Sequence, residues 1–252
     1  PTGIVQDLAG NDMASVLTPL NAESFSTATT AATLAANYKN LFLLGTAAVK
    51  GTGNALNNTI TGNSGVNVLT GGGGTDSMDG GNGSDIYLIT NSNDHPAAEI
   101  TDTGTTGSDE LRFASVTANQ TLTVFAGDTG IERVTIGTGT TPTVATGATT
   151  ALNINAALAP NALTIIGNSG ANALTGTAFN DTITGNAGDD SLMGGGGNDL
   201  LSGGAGNDIL TGGAGADLFR VNTVLNATTN VDNITDFEPT AIATTTDRIQ
   251  LE

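Results

Sequence analysis

Apolar residues in two stretches of this chain recur at a strict interval of nine. From Gly53 to Leu88 the sequence divides into GNALNNTIT, GNSGVNVLT, GGGGTDSMD and GGNGSDIYL. From Gly167 to Arg220 it divides into GNSGANALT, GTAFNDTIT, GNAGDDSLM, GGGGNDLLS, GGAGNDILT and GGAGADLFR. Position 8 of these units is Ile60, Leu69, Met78, Tyr87, Leu174, Ile183, Leu192, Leu201, Leu210 and Phe219. A three-residue strand with its middle side chain turned inward explains an apolar residue there every time, because neighbouring strand residues face opposite sides. Between the blocks, LRFASV, TLTVFA, ERVTIG, ALNINA and ALTIIG alternate in the same way and read as further strands. Upstream, KNLFLLGTAAVKGTGNALNN predicts two more coils, while residues 26–37 (STATTAATLAAN) fit a short helix or irregular coil. The expected sections are therefore 1–52, a first repeat block at 53–88, intervening coils at 89–166, a second block at 167–220, and closing strands at 221–252.

Composition gains meaning from that period. The two blocks hold 25 of the chain's 36 glycines, so the glycine is in register and does not mark disorder. Aromatic content of 4% suits a narrow solenoid with one apolar residue per strand. The net charge of −18 argues against nucleic-acid binding, which needs a basic surface. No apolar run reaches the roughly 18–20 residues of a membrane-spanning helix. The absence of cysteine excludes a disulfide scaffold and is compatible with export. Pro1 opens neither a basic nor an apolar stretch, so no secretory peptide is expected at residue 1 onward.

Each position of the unit has a chemical reason. Glycine at positions 1, 2 and 4 is expected to supply φ > 0 and expose backbone carbonyls in a tight turn. Asp at position 6 supplies a hard carboxylate oxygen, which suits Ca²⁺. The units follow G-G-x-G-x-D-x-U-x, a calcium-binding β-helix pattern. Five are strict matches: the last two of the first block and the last three of the second. The sequence resembles the RTX family, the hemolysin-type calcium-binding repeats of bacterial secreted proteins.

The resemblance implies an all-β, right-handed parallel β-roll or β-helix solenoid in which two units make one coil, so that unit n stacks on unit n+2. It pairs Asp190 with Asp208 on one edge, and Asp181 with Asp199 and Asp199 with Asp217 on the other. Asp76 and Asp85 then stack on Asn58 and Asn67, whose amide oxygens can ligate without adding charge. Weaker binding is expected there and at the step from Asn172 to Asp190. Gly195, Gly197, Gly204, Gly206, Gly213 and Gly215 complete the expected ligand set through their turns. Asp79 and Asp189 fall off position 6 and are expected to be solvated. About four to six calcium ions would leave the folded particle only mildly acidic.

Electrostatics points the same way. Carboxylates stacked about 4.8 Å apart repel by roughly 3.5 kcal/mol at an effective dielectric of 20. A bound cation removes that term and selects the coiled state, so the second block is expected to be disordered without calcium.

After each block comes a similar exit. Aligning AEITDTGTTGSDELRFA with DNITDFEPTAIATTTDRIQLE pairs Asp102 with Asp236 and Asp109 with Asp247. The second exit is similar to the segment after the roll of secreted RTX proteases. These four residues either cap the last coil, bind an extra ion, or are ordinary loop and strand-end carboxylates. Catalysis finds no support. There is no H-E-x-x-H, G-x-S-x-G or phosphate-binding G-x-x-x-x-G-K, and the single histidine, His95, lies in the turn-like NSNDHPAA and is expected to be exposed.

The expected function is an extracellular, calcium-folded structural or adhesive module, as in a surface layer, adhesin or filament. The alternative is a calcium-folded secretion or stabilising module of an enzyme or toxin whose catalytic domain lies outside these residues. The resemblance implies type I export from a Gram-negative bacterium. Expected partners are calcium, with end-to-end self-association or cell-surface glycans as further possibilities.

Overall fold

Three residues of each unit extend and six turn, which cannot close a coil alone, so successive units must lie on opposite faces. The computed structural model, which describes residues 25–139, 146–223, 228–238 and 246–252, has this arrangement. Residues 1–24 of the predicted N-terminal section lie outside the described residues. One face is a single 11-stranded sheet: β2 (Ala32–Thr33), β4 (Lys50–Thr52), β6 (Val68–Thr70), β8 (Ile86–Ile89), β9 (Glu110–Phe113), β11 (Arg133–Ile136), β13 (Thr164–Ile166), β15 (Thr182–Ala187), β17 (Leu200–Ala205), β19 (Leu218–Val221) and β21 (Arg248–Leu251). The opposite face is split. Its first part is β1 (Phe25–Ala28), β3 (Asn40–Leu43), β5 (Thr59–Thr61) and β7 (Ser77–Asp79). Its second is β10 (Thr121–Thr123), β12 (Asn153–Asn155), β14 (Ala173–Thr175), β16 (Ser191–Gly196), β18 (Ile209–Ala214) and β20 (Asn233–Ile234). Every pairing is parallel, and within the repeats the register joins residues two units apart, as in Leu201 with Ile183 and Leu210 with Leu192. The protein is a parallel β-roll solenoid.

The core follows position 8. All ten of those side chains are 0–1% exposed. Leu111, Leu122, Val134, Ile154 and Ile165 continue the files through the intervening coils, so the five segments predicted as strands contribute β9 to β13. Burying one large side chain fully contributes about 1.5–3 kcal/mol. A solenoid can therefore be stabilised coil by coil without a thick aromatic centre.

Two local expectations change. Strands β15 to β18 run six residues rather than three, because the glycine turns also ladder, as in Gly195 with Gly213. Among the described residues, 26–37 form no helix. They contain β1 and β2, with Ser26 pairing Leu41 in β3, so stacking on the next coil overrides alanine's helix preference.

Candidate metal centres

Position 6 lies where a turn re-enters a strand, and its side chain folds back over position 1 of the same unit. This requirement, not backbone conformation, is what demands glycine at position 1. None of the position-1 glycines has a positive φ, contrary to expectation. A Cβ on Gly71, Gly194 or Gly203 would lie 2.0, 2.2 or 2.1 Å from Oδ2 of Asp76, Asp199 or Asp208. Positions 2 and 4 do take positive φ where the unit is strict, including Gly195, Gly197, Gly204, Gly206, Gly213 and Gly215.

The position-6 residues form ladders along the edges of the roll, each carboxylate receiving an amide from the preceding coil. The amide of Asp181 donates to Oδ1 of Asp199 (2.8 Å), Asp199 to Asp217 (2.9 Å) and Asp190 to Asp208 (2.9 Å). Asn58 donates to Asp76 (2.8 Å), Asn67 to Asp85 (2.6 Å) and Asn172 to Asp190 (2.7 Å). The expected stacking partners are thus brought together. The ladders also run past the repeats, which the nonapeptide period did not reveal. Asp76 donates to Glu99, Asp85 to Asp109, Asp109 to Glu132, Asp208 to Asp232 and Asp217 to Asp247.

What distinguishes the rungs is the second carboxylate oxygen. Oδ2 of Asp76, Asp85, Asp190, Asp199, Asp208 and Asp217 is buried with no hydrogen-bond partner. The other four position-6 residues differ. Oδ1 of Asn58, Asn67 and Asn172 accepts the amide of Asn54 (2.7 Å), Asn63 (2.7 Å) and Asn168 (2.9 Å), and Oδ2 of Asp181 accepts that of Thr177 (2.6 Å). Position 2 decides between the two states. The six free carboxylates follow a position 2 with positive φ: Gly72, Gly81, Asn186, Gly195, Gly204 and Gly213. Asn54, Asn63, Asn168 and Thr177 lack that conformation, and their amides point at position 6. Asp181, Asn58, Asn67 and Asn172 thus stand apart from the six aspartates in how their turns use them. In each of them a side-chain oxygen accepts the position-2 amide of its own turn. The GN and GT openings of these units carried that signal, with Asn186 as the position 2 at which an asparagine takes the glycine conformation (φ 82°).

Burial raises the carboxyl pKa of Asp190 and Asp199 to about 7 and of Asp208 to about 6, and neighbouring carboxylates add to the shift. Burial also takes Asp85 to about 7 and Asp76 to about 6. A buried carboxylate with a free oxygen and acidic neighbours is a group that a bound cation would stabilise. Hard oxygen donors without nitrogen or sulfur fit calcium.

Comparison with known families agrees with this chemistry. A family model for the RTX calcium-binding nonapeptide repeat (four copies) matches residues 52–87, 166–201 and 193–221. These segments are similar to RTX calcium-binding repeats. Five of the six free carboxylates lie within the strict units, and the sixth, Asp190, follows Asn186. No curated protein and no solved structure matches the chain. No helix among the described residues is long and apolar enough to cross a membrane.

Two side chains depart from their expected settings. Asp79 is half-buried and accepts both the amide (3.1 Å) and the hydroxyl (2.8 Å) of Thr103, whereas Asp189 is exposed as expected. His95 is 3% exposed rather than on an open loop. Its Nδ1 and Nε2 lie 3.1 and 3.0 Å from Glu99 and Asp128, where the first part of the split face gives way to the second.

Proposed function

We propose that this chain is an extracellular solenoid that folds on calcium and serves as a structural or adhesive module. The observation that carries the reading is the set of six buried, unpartnered Oδ2 atoms, all on RTX repeat aspartates or their direct equivalent. Asp76, Asp85, Asp190, Asp199, Asp208 and Asp217 would hold the ions, together with backbone carbonyls of the glycine turns. The bound ion supplies the positive charge that makes a stacked acidic edge tolerable. About four to six ions are expected. The continuous 11-stranded sheet joins both repeat blocks into one rod, which suits a load-bearing or surface-displayed element.

RTX repeat proteins are typically secreted by bacteria, and low calcium before export and high calcium outside would time the folding. Far-UV circular dichroism with calcium and after chelation tests the folding. Electron microscopy in calcium tests the role: regular assemblies or surface-bound rods support it, and monodisperse particles that bind no surface would count against it.

A second reading, as the secretion or stabilising module of an exported enzyme, is favoured by one feature. β21 (Arg248–Leu251) pairs directly onto β19 and closes the roll with the D-R-I-x-L strand similar to that of RTX proteases.

A further inference from the structure

The two roll exits are similar in sequence and end in different chemistry. In both, the later aspartate continues the ladder: Asp85 donates its amide to Oδ1 of Asp109 (2.7 Å), and Asp217 donates to Oδ1 of Asp247 (3.0 Å). The earlier aspartates diverge. Asp236 accepts the amides of Gly212 (3.0 Å) and Gly213 (2.8 Å), which occupies both of its oxygens with backbone. Oδ2 of Asp247 is likewise taken, by the amide of Glu238 (2.9 Å).

In the first exit the equivalent glycine amide never reaches the aspartate. Gly80 donates to the Tyr87 hydroxyl (2.6 Å), and that hydroxyl donates to Oδ2 of Asp102 (2.5 Å). Tyr87 occupies position 8, where the second block has Phe219, which has no hydroxyl to intervene. The tyrosine thus inserts itself between the turn and the exit aspartate. Beside this contact, one carboxylate oxygen from each of Asp85, Asp102 and Asp109 lies within 4.8 Å of the others. Asp85 is fully buried, and its Oδ2 has no partner.

We propose that Asp85, Asp102 and Asp109 form a divalent-cation site that closes the first roll, in which the last repeat aspartate of the block, Asp85, is completed by two exit carboxylates, with Tyr87 as its positioning residue. Its class of ligand is a hard cation such as Ca²⁺, since three carboxylates at this spacing match the oxygen shell of calcium. The site differs from the turns between repeats because two of its three carboxylates come from outside the nonapeptides. Burial, followed by neighbouring acidic groups, raises the Asp85 and Asp109 carboxyls, a setting in which a cation favours the ionised form. It also compensates for the first block's stacking on Asn58 and Asn67, which bring no charge. The site rests on the calcium chemistry proposed above but not on any structural or adhesive role.

Tyrosine makes the site directly readable. The chain has two tyrosines and no tryptophan, so Tb³⁺ bound beside Tyr87 should emit on tyrosine excitation. The whole chain, titrated with Tb³⁺, should show sensitised emission that Asp102→Asn removes and that Tyr38→Phe and Asp236→Asn leave in place. Calorimetric titration with Ca²⁺ should lose one ion per chain in Asp102→Asn and in Tyr87→Phe. The calcium-induced circular dichroism change of the second block should survive in both, which separates failure of this site from failure of calcium-driven folding. Unchanged emission and stoichiometry in Asp102→Asn would overturn the proposal. If the variants do not fold, anomalous scattering from Tb³⁺-soaked crystals of the unaltered chain decides it: an ion among the three carboxylates supports the site, and none there overturns it.

Discussion

The amide of Asp199 donates to Oδ1 of Asp217 across 2.9 Å, while Oδ2 of the same Asp217 is buried without a partner. Each such rung spends one carboxylate oxygen on holding coils together and leaves the other uncompensated. At coil spacing the unscreened repulsion between neighbouring rungs is about 3.5 kcal/mol at an effective dielectric of 20. Removing calcium should therefore unfold the second block. Chelation should abolish its far-UV strand signal, and added calcium should restore it. A spectrum indifferent to chelator would mean that the free oxygens are tolerated without a cation.

Asp181 and Asp199 sit on the same edge one coil apart but should respond differently to mutation. Asp181 gives Oδ2 to the Thr177 amide (2.6 Å) and Oδ1 to the Leu163 amide (2.7 Å), so Asp181→Asn should leave the calcium stoichiometry unchanged. Asp199→Asn, which alters a free Oδ2, should lose one ion. The converse change is more demanding. Thr177→Gly permits positive φ at position 2, should turn that amide away, and should add one ion. Calorimetric titration of the three variants reads all of these outcomes.

Glycine at position 1 is a steric requirement and should be punished accordingly. A Cβ on Gly203 would meet Oδ2 and Cγ of Asp208 at 2.1 and 2.5 Å. Gly203→Ala should destabilise the calcium-loaded chain by about 1–3 kcal/mol, the range for overpacking a fitted site. Gly147, which has nothing within 4 Å, should accept alanine without loss. Equal melting temperatures for the two variants would show that Asp208 is free to move aside.

The nine-residue period made the inward file and the stacking rule legible, because position 8 alone had to be apolar and alternate units had to share an edge. Leu201 packing above Ile183 follows from counting. The sixth position was less informative than the second, since an aspartate is available only where the amide four residues earlier turns away. The continuation of the ladders into Glu99, Glu132 and Asp232 had no sequence signal, because those residues return after loops of unequal length. The same holds for the Tyr87 hydroxyl: position 8 required an apolar side chain, and nothing local showed that its polar tip would meet Asp102. His95 was hidden for a related reason, with one partner four residues away and the other 33.

His95 also gives the seam between the two rolls a pH dependence. Burial opposes the charged imidazole, but hydrogen bonds and charge from Asp128 and Glu99 outweigh it and raise the pKa to about 9. Phe125 covers the ring with centroids 5.4 Å apart, and Asp94 adds a further acidic group beside Glu99. An unfolded histidine titrates near 6.5, so the folded state holds its proton more tightly. The stabilisation is therefore complete below about pH 6.5 and disappears as pH rises through about 9. Its size is on the order of 3 kcal/mol. Melting temperatures in saturating calcium should fall between pH 7 and 9.5, and His95→Gln should be less stable at pH 6 but nearly flat over that range. A wild-type profile as flat as that of the variant would show that the imidazole is neutral and that the seam is held by packing alone.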